Sequence, residues 1–169
     1  MAFYSPEDLL TLGLARFGSN VLISRKASLY NPGNIAIGDN VRIDDFCVLS
    51  AGEGGIEIGS YVHLAVYTSL IGAGKIDIRD FCNLSSRVSI YSSNDDYSGL
   101  SMTNPMVPDH FKKVQSADVL LEKHVIVGSG SIVLPGVTPH EGVAIGALSL
   151  VKETCHAFGI YAGDRRIRE

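Results

Sequence analysis

Apolar residues recur every six positions along much of this sequence, most plainly between Val119 and Val151. There, Leu121, Val127 and Val133 are branched apolar residues, and the residue four places after each is small or β-branched. Neither the period of a helix nor the alternation of an ordinary strand fits this spacing. A repeat of one large apolar residue, two turn-forming residues and one small residue predicts a triangular β-helix, in which short strands alternate with tight corners.

Upstream, the same repeat continues in three columns of large apolar residues. Before residue 91, successive members of a column lie 20 or 21 residues apart. That distance is one turn of three six-residue sides with two or three additional corner residues. The predicted columns are Phe17, Ile37, Ile58, Ile78, Leu121 and Ile145; Ile23, Ile43, Leu64, Leu84, Val127 and Val151; and Leu29, Leu49, Leu70, Ile90 and Val133.

The three cysteines stand where the repeat requires a small interior side chain. Cys47 and Cys155 fall four places after members of the second column, and Cys82 falls four places after Ile78. Their wide spacing fits neither a zinc site nor an even disulfide framework. We interpret all three as buried packing residues rather than nucleophiles or metal ligands.

Two segments depart from the repeat. Residues 5–13 predict a short helix, with Ser5 as its N-cap, Pro6 at its first position and Gly13 at its end, which covers the open edge of the first coil. Residues 91–118 interrupt the columns as a long loop without regular structure. Because such a loop on a compact domain usually carries function, it is the first place to look for a site. The organisation expected for residues 1–169 is one β-helix domain with a capping helix and a protruding loop.

Composition and charge limit the possible partners and locations. The chain has 169 residues, 46% of them hydrophobic, which suffices for one buried core. Its formal net charge of −4 argues against a nucleic acid or an anionic membrane as partner. The sequence contains no apolar run long enough to span a membrane, and its N-terminus lacks the basic residues of a signal peptide. We therefore expect no membrane insertion and a cytoplasmic location.

Several motifs together resemble those of the hexapeptide-repeat acyltransferases, in particular the galactoside, maltose and polysaccharide O-acetyltransferase branch. They are the run IVGSGSIVLPGVTPHEGVAIGALSLV, the repeats IGDNVRI and IRDFCNL, and the terminal GIYAGDRRI. The resemblance implies a left-handed parallel β-helix that forms a homotrimer and uses acetyl-CoA as co-substrate without a metal. It also implies O- or N-acetylation of a sugar or sugar nucleotide, in a pathway such as surface-polysaccharide biosynthesis.

The resemblance also implies candidate catalytic and acceptor-binding residues. The family's proton acceptor is typically a loop histidine, and this sequence has Asp95 at that position, with Asn94 and Asp96 beside it. His63 is the alternative proton acceptor, because an imidazole titrates near neutral pH. The predicted catalytic residues are His63, Asp95 and Asp96, and the predicted acceptor contacts are Asn94, Tyr97 and His124.

For coenzyme A, the resemblance points to the last coils. Small residues there would allow the pantetheine arm to approach the backbone, and cations would meet the phosphates. The alternative for each cation is a solvated surface charge. The predicted cofactor-binding residues are Gly128, Ser129, Gly146, Ala147, Lys152, Arg165 and Arg166.

Two other functions remain open from the sequence. The missing loop histidine is compatible with a β-helix that binds a ligand or partner without catalysis. A β-helical carbonic anhydrase would require three converging metal-binding histidines, and beyond His63 and His124 no third is identified.

Overall fold

The computed structural model describes residues 2–163 and 165–168, which are built mainly from very short strands. Helix α1 (Pro6–Thr11) precedes the strands, and two 3₁₀ turns lie at Pro32–Asn34 and Asp109–Phe111. In chain order the strands are β1 (Arg16–Phe17), β2 (Leu22–Ile23), β3 (Ser28–Tyr30), β4 (Ile35–Ile37), β5 (Arg42–Ile43), β6 (Val48–Ala51), β7 (Ile56–Ile58), β8 (His63–Leu64), β9 (Ser69–Gly72), β10 (Ile76–Ile78), β11 (Asn83–Leu84), β12 (Ser89–Tyr91), β13 (Ser93–Asn94), β14 (Gln115–Ser116), β15 (Val119–Leu121), β16 (Ile126–Val127), β17 (Ile132–Val133), β18 (Ala144–Ile145), β19 (Leu150–Val151), β20 (Ile160–Ala162) and β21 (Arg165–Arg168).

The strands stack into three sheets that form the sides of a prism. Sheet 1 has the order β1-β4-β7-β10-β15, sheet 2 the order β2-β5-β8-β11-β16-β18-β20-β21, and sheet 3 the order β19-β17-β12-β9-β6-β3. Neighbouring strands are parallel except β20 and β21, which are antiparallel. Because the chain visits the sheets in turn, the prism has a first edge between sheets 1 and 2, a second between sheets 2 and 3, and a third between sheets 3 and 1.

The predicted aliphatic columns form the interior of this prism. Ile37, Ile58 and Ile78 lie in register on successive coils and are almost fully buried. Two members of the predicted columns were assigned wrongly, because Ile145 pairs with Val127 in sheet 2 and Val151 with Val133 in sheet 3. The last coils lack the additional corner residues, so the spacing falls to 18 residues and the sequence columns shift by one side.

The cysteines are free thiols in the interior, as the spacing predicts. Cys155 is nevertheless not in the column of Cys47, since it bridges to Pro139 at the side of sheet 1, and Ser149 takes the place predicted for it. Burial raises the pKa of each of the three thiols to about 11. A thiol with so high a pKa is a poor nucleophile at neutral pH, which favours the packing role.

Most corners of the first and second edges place one residue in the left-handed backbone region. At the first edge these residues include Asn20, Asn40, Tyr61, Phe81 and His124, and at the second edge they include Phe46, Tyr67, Arg87 and Leu148. The side chains at these positions form exposed ladders. Tyr61 stacks on Phe81 at 5.2 Å between ring centroids, and Phe46 stacks on Tyr67 at 5.0 Å.

The two irregular segments attach to the prism at defined places. The helix is shorter than predicted, with Ser5 as N-cap and a capping box in which Ser5 and Asp8 bond each other's backbone N–H groups. Loop 91–118 leaves from the third edge. It is not without regular structure, because β13 and β14 pair as an antiparallel stem at its base. In the described residues, no helix is long and apolar enough to cross a membrane.

Candidate functional site

A row of open backbone donors marks the second edge. The N–H groups of Val66, Ser86, Ser129 and Ala147 occupy the same corner position on four successive coils, and none has an acceptor within the described residues. The corners stack directly, since Gly130 donates its N–H to the carbonyl of Ser86. Successive donors therefore lie about 4.8 Å apart, the spacing of parallel strands.

Interior side chains set the direction of these donors. The carbonyl of Gly146 accepts hydrogen bonds from the buried hydroxyls of Ser131 at 2.9 Å and Ser149 at 2.7 Å, so it points into the prism. A trans peptide places its N–H opposite its carbonyl, and the N–H of Ala147 therefore points outward. One coil earlier, the carbonyl of Gly128 accepts the N–H of Ser131 in the same way.

The equivalent donors at the first edge are mostly closed by side chains. The N–H of Ser19 donates to Asp39 at 2.6 Å, that of Asp39 to the hydroxyl of Ser60 at 3.0 Å, and that of Ser60 to Asp80 at 2.8 Å. Near the end of this edge, the N–H of Glu141 donates to Glu122 at 2.9 Å. The second edge is thus the side of the prism that offers a ladder of donors to a ligand rich in carbonyl or phosphate oxygens.

His63 lies on the outer face of sheet 2, beside the upper part of this ladder. Its Nε2 is 2.8 Å from Asp44 Oδ2, and its Nδ1 is 3.2 Å from Asn83 Oδ1. Asp44 also accepts Arg42 Nε at 2.7 Å. Burial would raise the pKa of Asp44, but the hydrogen bonds from His63 and Arg42 hold it below its usual value, so the carboxylate is charged at neutral pH.

The lower end of the prism contains a cavity of about 330 Å³. Lys152, Arg165 and Arg166 all line it, together with His156 and Tyr161. All three cations predicted to meet coenzyme A phosphates therefore line one cavity, next to the corner that carries Gly146 and Ala147. Guanidinium and ammonium groups around one cavity favour a phosphate-bearing ligand.

The loop residues predicted for catalysis and acceptor binding lie at the third edge. Asn94 pairs with Gln115 in the stem, Asp95 is exposed, and Tyr97 is 92% exposed. Asp96 accepts the N–H of Ser98 at 2.9 Å, and its pKa is lowered chiefly by hydrogen bonds from Ser98. The structure does not bring these residues together with the donor ladder within one chain.

His124 is also separate from the ladder. It is a left-handed corner residue of the first edge, with a φ of 62°, and its N–H donates to the carbonyl of Asp80. Its predicted acceptor contact remains a prediction. In the residues that the structure describes, no group of three or more His, Cys, Asp or Glu side chains could hold a metal ion.

Sequence reasoning missed Asp44, Asn83 and the serines at the upper part of the second edge, Ser85 and Ser86. The available signal was the length of one coil. Asp44 precedes His63 by 19 residues and Asn83 follows it by 20. Residues one coil apart lie beside each other on neighbouring parallel strands. The contacts of Asp44 and Asn83 with His63 could therefore have been predicted from their spacing.

Comparisons with known proteins identify relatives of the whole chain. No family model matches the sequence. The chain is 58% identical to a dTDP-4-amino-4,6-dideoxy-D-glucose acyltransferase from Escherichia coli, over 163 residues that cover 96% of this chain and 85% of the relative. Its structure resembles that of AntD, an N-acyltransferase from Bacillus cereus, solved as an aspartate variant with dTDP and coenzyme A. The two share 49% sequence identity with a TM-score of 0.95, and the match covers 99% of this chain and 91% of that one.

A maltose O-acetyltransferase from Clostridium difficile 630 shares the fold alone, at 19% identity and a TM-score of 0.59, over 96% of this chain and 73% of that one. These findings confirm the left-handed parallel β-helix and the acyltransferase resemblance. They leave no support for a binding protein without catalysis. The chain belongs to the hexapeptide-repeat acyltransferases and is an acyl-CoA-dependent enzyme of their sugar-nucleotide branch.

Proposed function

We propose that this enzyme transfers an acetyl group from acetyl-CoA to the 4-amino group of dTDP-4-amino-4,6-dideoxy-D-glucose. The observation that carries the proposal is the 58% identity to an acyltransferase named for this sugar nucleotide, over nearly the whole chain. AntD variants have been solved with the same sugar nucleotide and coenzyme A. Because AntD is an N-acyltransferase, nitrogen is favoured over the oxygen that the sequence left as an alternative.

The reaction requires one bond to form and one to break. The amino nitrogen attacks the thioester carbonyl, the new C–N bond forms, the C–S bond breaks, and coenzyme A leaves as its thiol after the nitrogen loses a proton. Alignment of the two substrates supplies a large part of the rate enhancement, and donors near the carbonyl oxygen stabilise the charge that develops on it. The open N–H groups of the second edge are suited to both tasks.

We assign the donor ladder to the acyl donor. Pantetheine carries amide carbonyls along its length, and the N–H groups of Ser129 and Ala147 face outward where such an arm could lie. The phosphates would then reach the cavity lined by Lys152, Arg165 and Arg166. This arrangement orients the thioester toward the upper coils, where Ser86 and His63 lie.

A feature of the AntD structures supports Asp95 as a group that acts on the amino nitrogen. The AntD variants replace a serine or an aspartate, and the two positions are ten residues apart. In this sequence only Ser85 with Asp95 and Ser86 with Asp96 have that spacing. Asp96 is engaged by Ser98 in the loop. We therefore favour Asp95 as the carboxylate that contacts the amine and accepts its proton, with His63 as the second candidate.

The separation of Asp95 from the second edge supports the homotrimer that the family resemblance implies. Sheet 3 is suited to face the threefold axis, because its outward residues from Ser28 to Leu150 include no charged side chain. Sheet 1, in contrast, carries Arg16, Glu57 and Asp77. If sheet 3 of each subunit faces the threefold axis, the third edge of one subunit lies beside the second edge of the next. The loop of one subunit would then supply Asp95 to its neighbour's donor ladder.

The reaction is tested by incubating the enzyme with acetyl-CoA and the amino sugar nucleotide, and following both thiol release and the mass of the product. We expect release of coenzyme A with formation of an amide. The control acceptor is dTDP-6-deoxy-D-glucose, which has a hydroxyl in place of the amine. Equal thiol release with both acceptors would contradict N-acylation, and no release with either would contradict the proposed acceptor.

A mixing experiment tests the shared site. Asp95→Asn disables the loop, and Ala147→Glu obstructs the donor ladder. If each site uses the loop of one subunit and the second edge of another, co-expression of the two impaired variants, assayed at acetyl-CoA well below KM, should give more activity than either variant alone, since some mixed sites combine an intact loop with an intact edge. Activity no higher than in the separate variants would show that both groups come from one chain.

A further inference from the structure

The environment of His63 gives its two ring nitrogens different neighbours. Asp44, one coil earlier, meets Nε2 at 2.8 Å, and Asn83, one coil later, meets Nδ1 at 3.2 Å. The imidazole is thus aligned with the prism axis. Its Nδ1 points toward the later coils, where the N–H of Ser86 opens the part of the donor ladder assigned to the acyl donor.

Asp44 is itself held in place. Its side chain is 13% exposed, Oδ1 accepts Arg42 Nε at 2.7 Å, and Oδ2 accepts from His63. The guanidinium of Arg42 in turn lies over the ring of Phe3, 5.5 Å from its centroid. With a donor on each oxygen, the carboxylate has little freedom to rotate and presents a fixed acceptor to the histidine.

We propose that Asp44 is a positioning residue that fixes the tautomer of His63. A charged carboxylate at Nε2 favours the N–H there and leaves the lone pair on Nδ1. The Asn83 amide can turn its NH₂ group toward that lone pair, so Nδ1 is satisfied until the acceptor arrives. The N–H or O–H of the sugar then replaces Asn83 as the donor to Nδ1. This inference rests on the proposed function, because it requires the acceptor to reach the second edge.

The competing role for this pair is an ion pair that only stabilises the surface of sheet 2. Such pairs contribute little to stability when exposed. The two roles differ in one respect that can be measured. A positioning residue acts through His63, so its loss changes the tautomer and lowers kcat/KM, and this effect disappears when His63 is absent. A pair that only stabilises the surface would change Tm and leave the kcat/KM of the folded enzyme unchanged.

The test uses Asp44→Asn, which keeps the size of the side chain but removes its charge. Asp45→Asn is the matched control, because Asp45 is the next residue of the same corner but bonds Ser24 and Lys26 rather than His63. Nitrogen-15 NMR of labelled histidine should show the Nε2–H form in the wild type and in Asp45→Asn. In Asp44→Asn the two tautomers should be mixed.

The kinetic test is a double-mutant cycle. Asp44→Asn and His63→Ala should each lower kcat/KM for the acceptor at least tenfold, with KM for acetyl-CoA unchanged. In the His63→Ala background, Asp44→Asn should cause less than a further twofold loss. Additive losses, an effect of Asp44→Asn no larger than that of Asp45→Asn, or an unchanged tautomer would each overturn the inference.

The proposed acceptor and the proposed role of Asp44 are tested by different measurements. If the proposed sugar nucleotide is not the acceptor, the wild type releases no coenzyme A with it, yet the tautomer measurement still reports on Asp44. If the wild type is active and the tautomer does not respond to Asp44→Asn, the proposed function stands and the positioning role is wrong.

Discussion

The first and second edges of the prism share one backbone geometry but leave different groups open. Both place a left-handed residue at the third position of nearly every corner, and both carry a stacked aromatic pair. At the first edge, side chains from adjacent coils close most of the outward N–H groups. At the second edge the equivalent groups stay open over four coils. The repeat therefore builds the scaffold, and the capping side chains decide which edge keeps its backbone donors open.

Packing requires glycine at both edges, since an added Cβ at Gly128 on the second edge would lie 2.4 Å from the backbone N of Ala147, but Gly146 is an exception. At Gly59, on the first edge, an added Cβ would lie 2.5 Å from Asp80 Oδ1, so the cap itself requires glycine. At Gly146, on the second edge, the nearest atom would be the carbonyl oxygen of Tyr161 at 3.3 Å, a contact that a small shift relieves. Packing thus explains Gly59 better than Gly146. The space beside Gly146 is consistent with the close approach of a ligand to the backbone there.

The largest effect is expected from Asp95, which we propose to contact the acceptor amine at the second edge of a neighbouring subunit. Asp95→Asn should lower kcat about 100-fold or more, the usual range for loss of a positioned proton acceptor. Binding of acetyl-CoA, measured by calorimetry, should be unchanged. Asp96→Asn is the control and should stay within a few-fold of the wild type, because Asp96 is engaged in the loop. The reverse order of effects would exchange the roles of the two carboxylates.

A change of charge at one corner position tests the comparison between the edges directly. Ala147 on the second edge and Ala157 on the first edge are both exposed and hold the same place in their corners. Ala147→Glu should raise KM for acetyl-CoA at least about tenfold, since it places a carboxylate on the donor ladder. Ala157→Glu should leave KM within twofold. Equal effects at both positions would show that the second edge is not the cofactor side.

Removal of one cation at the lower end should have a smaller effect. Lys152→Gln should raise KM for acetyl-CoA by up to about fivefold, because an exposed ion pair contributes up to about 1 kcal/mol, and the loss should shrink as salt is added. Lys123→Gln at the first edge is the control, because Lys123 lies 4.0 Å from Asp80 and does not line the cavity. Dephospho-CoA as donor would show which phosphate Lys152 meets.

Much of the fold could be predicted because its determinants are local in the sequence. The columns of Ile37, Ile58 and Ile78 follow from burial at a fixed spacing, and the structure confirms them. The assignment failed at Ile145 and Val151, where the coil lacks its two or three additional corner residues and the period shortens to 18. A constant period cannot reveal such a shift, since each side of the prism accepts the same type of residue.

The site was less accessible to sequence reasoning. Lys152, Arg165 and Arg166 were selected by resemblance, and the structure places them around one cavity. The open donors could not be found, because Val66 and Ser86 contribute backbone groups that no side-chain motif records. The relation of Asp95 to the second edge depends on a second copy, about which one chain contains no direct signal. The trimer and the cytoplasmic location remain predictions.

The smallest expected effect concerns the closed edge. Asp39→Ala removes the acceptor of the Ser19 N–H and should lower Tm by about 2–4 °C at neutral pH without changing kcat. The hydrogen bonds from Ser19 lower the pKa of Asp39, so its stabilising contribution is present above the pKa of the unfolded chain and is lost as pH falls through the lower folded value. The Tm difference should therefore shrink as the pH falls through this lowered folded pKa of Asp39. Ser86→Ala at the second edge should leave Tm unchanged, because within the described residues the Ser86 hydroxyl caps no backbone N–H group of an adjacent coil. A fall in Tm as large as that of Asp39→Ala would mean that the second edge is stabilised by contacts of its own and is not simply open to a ligand.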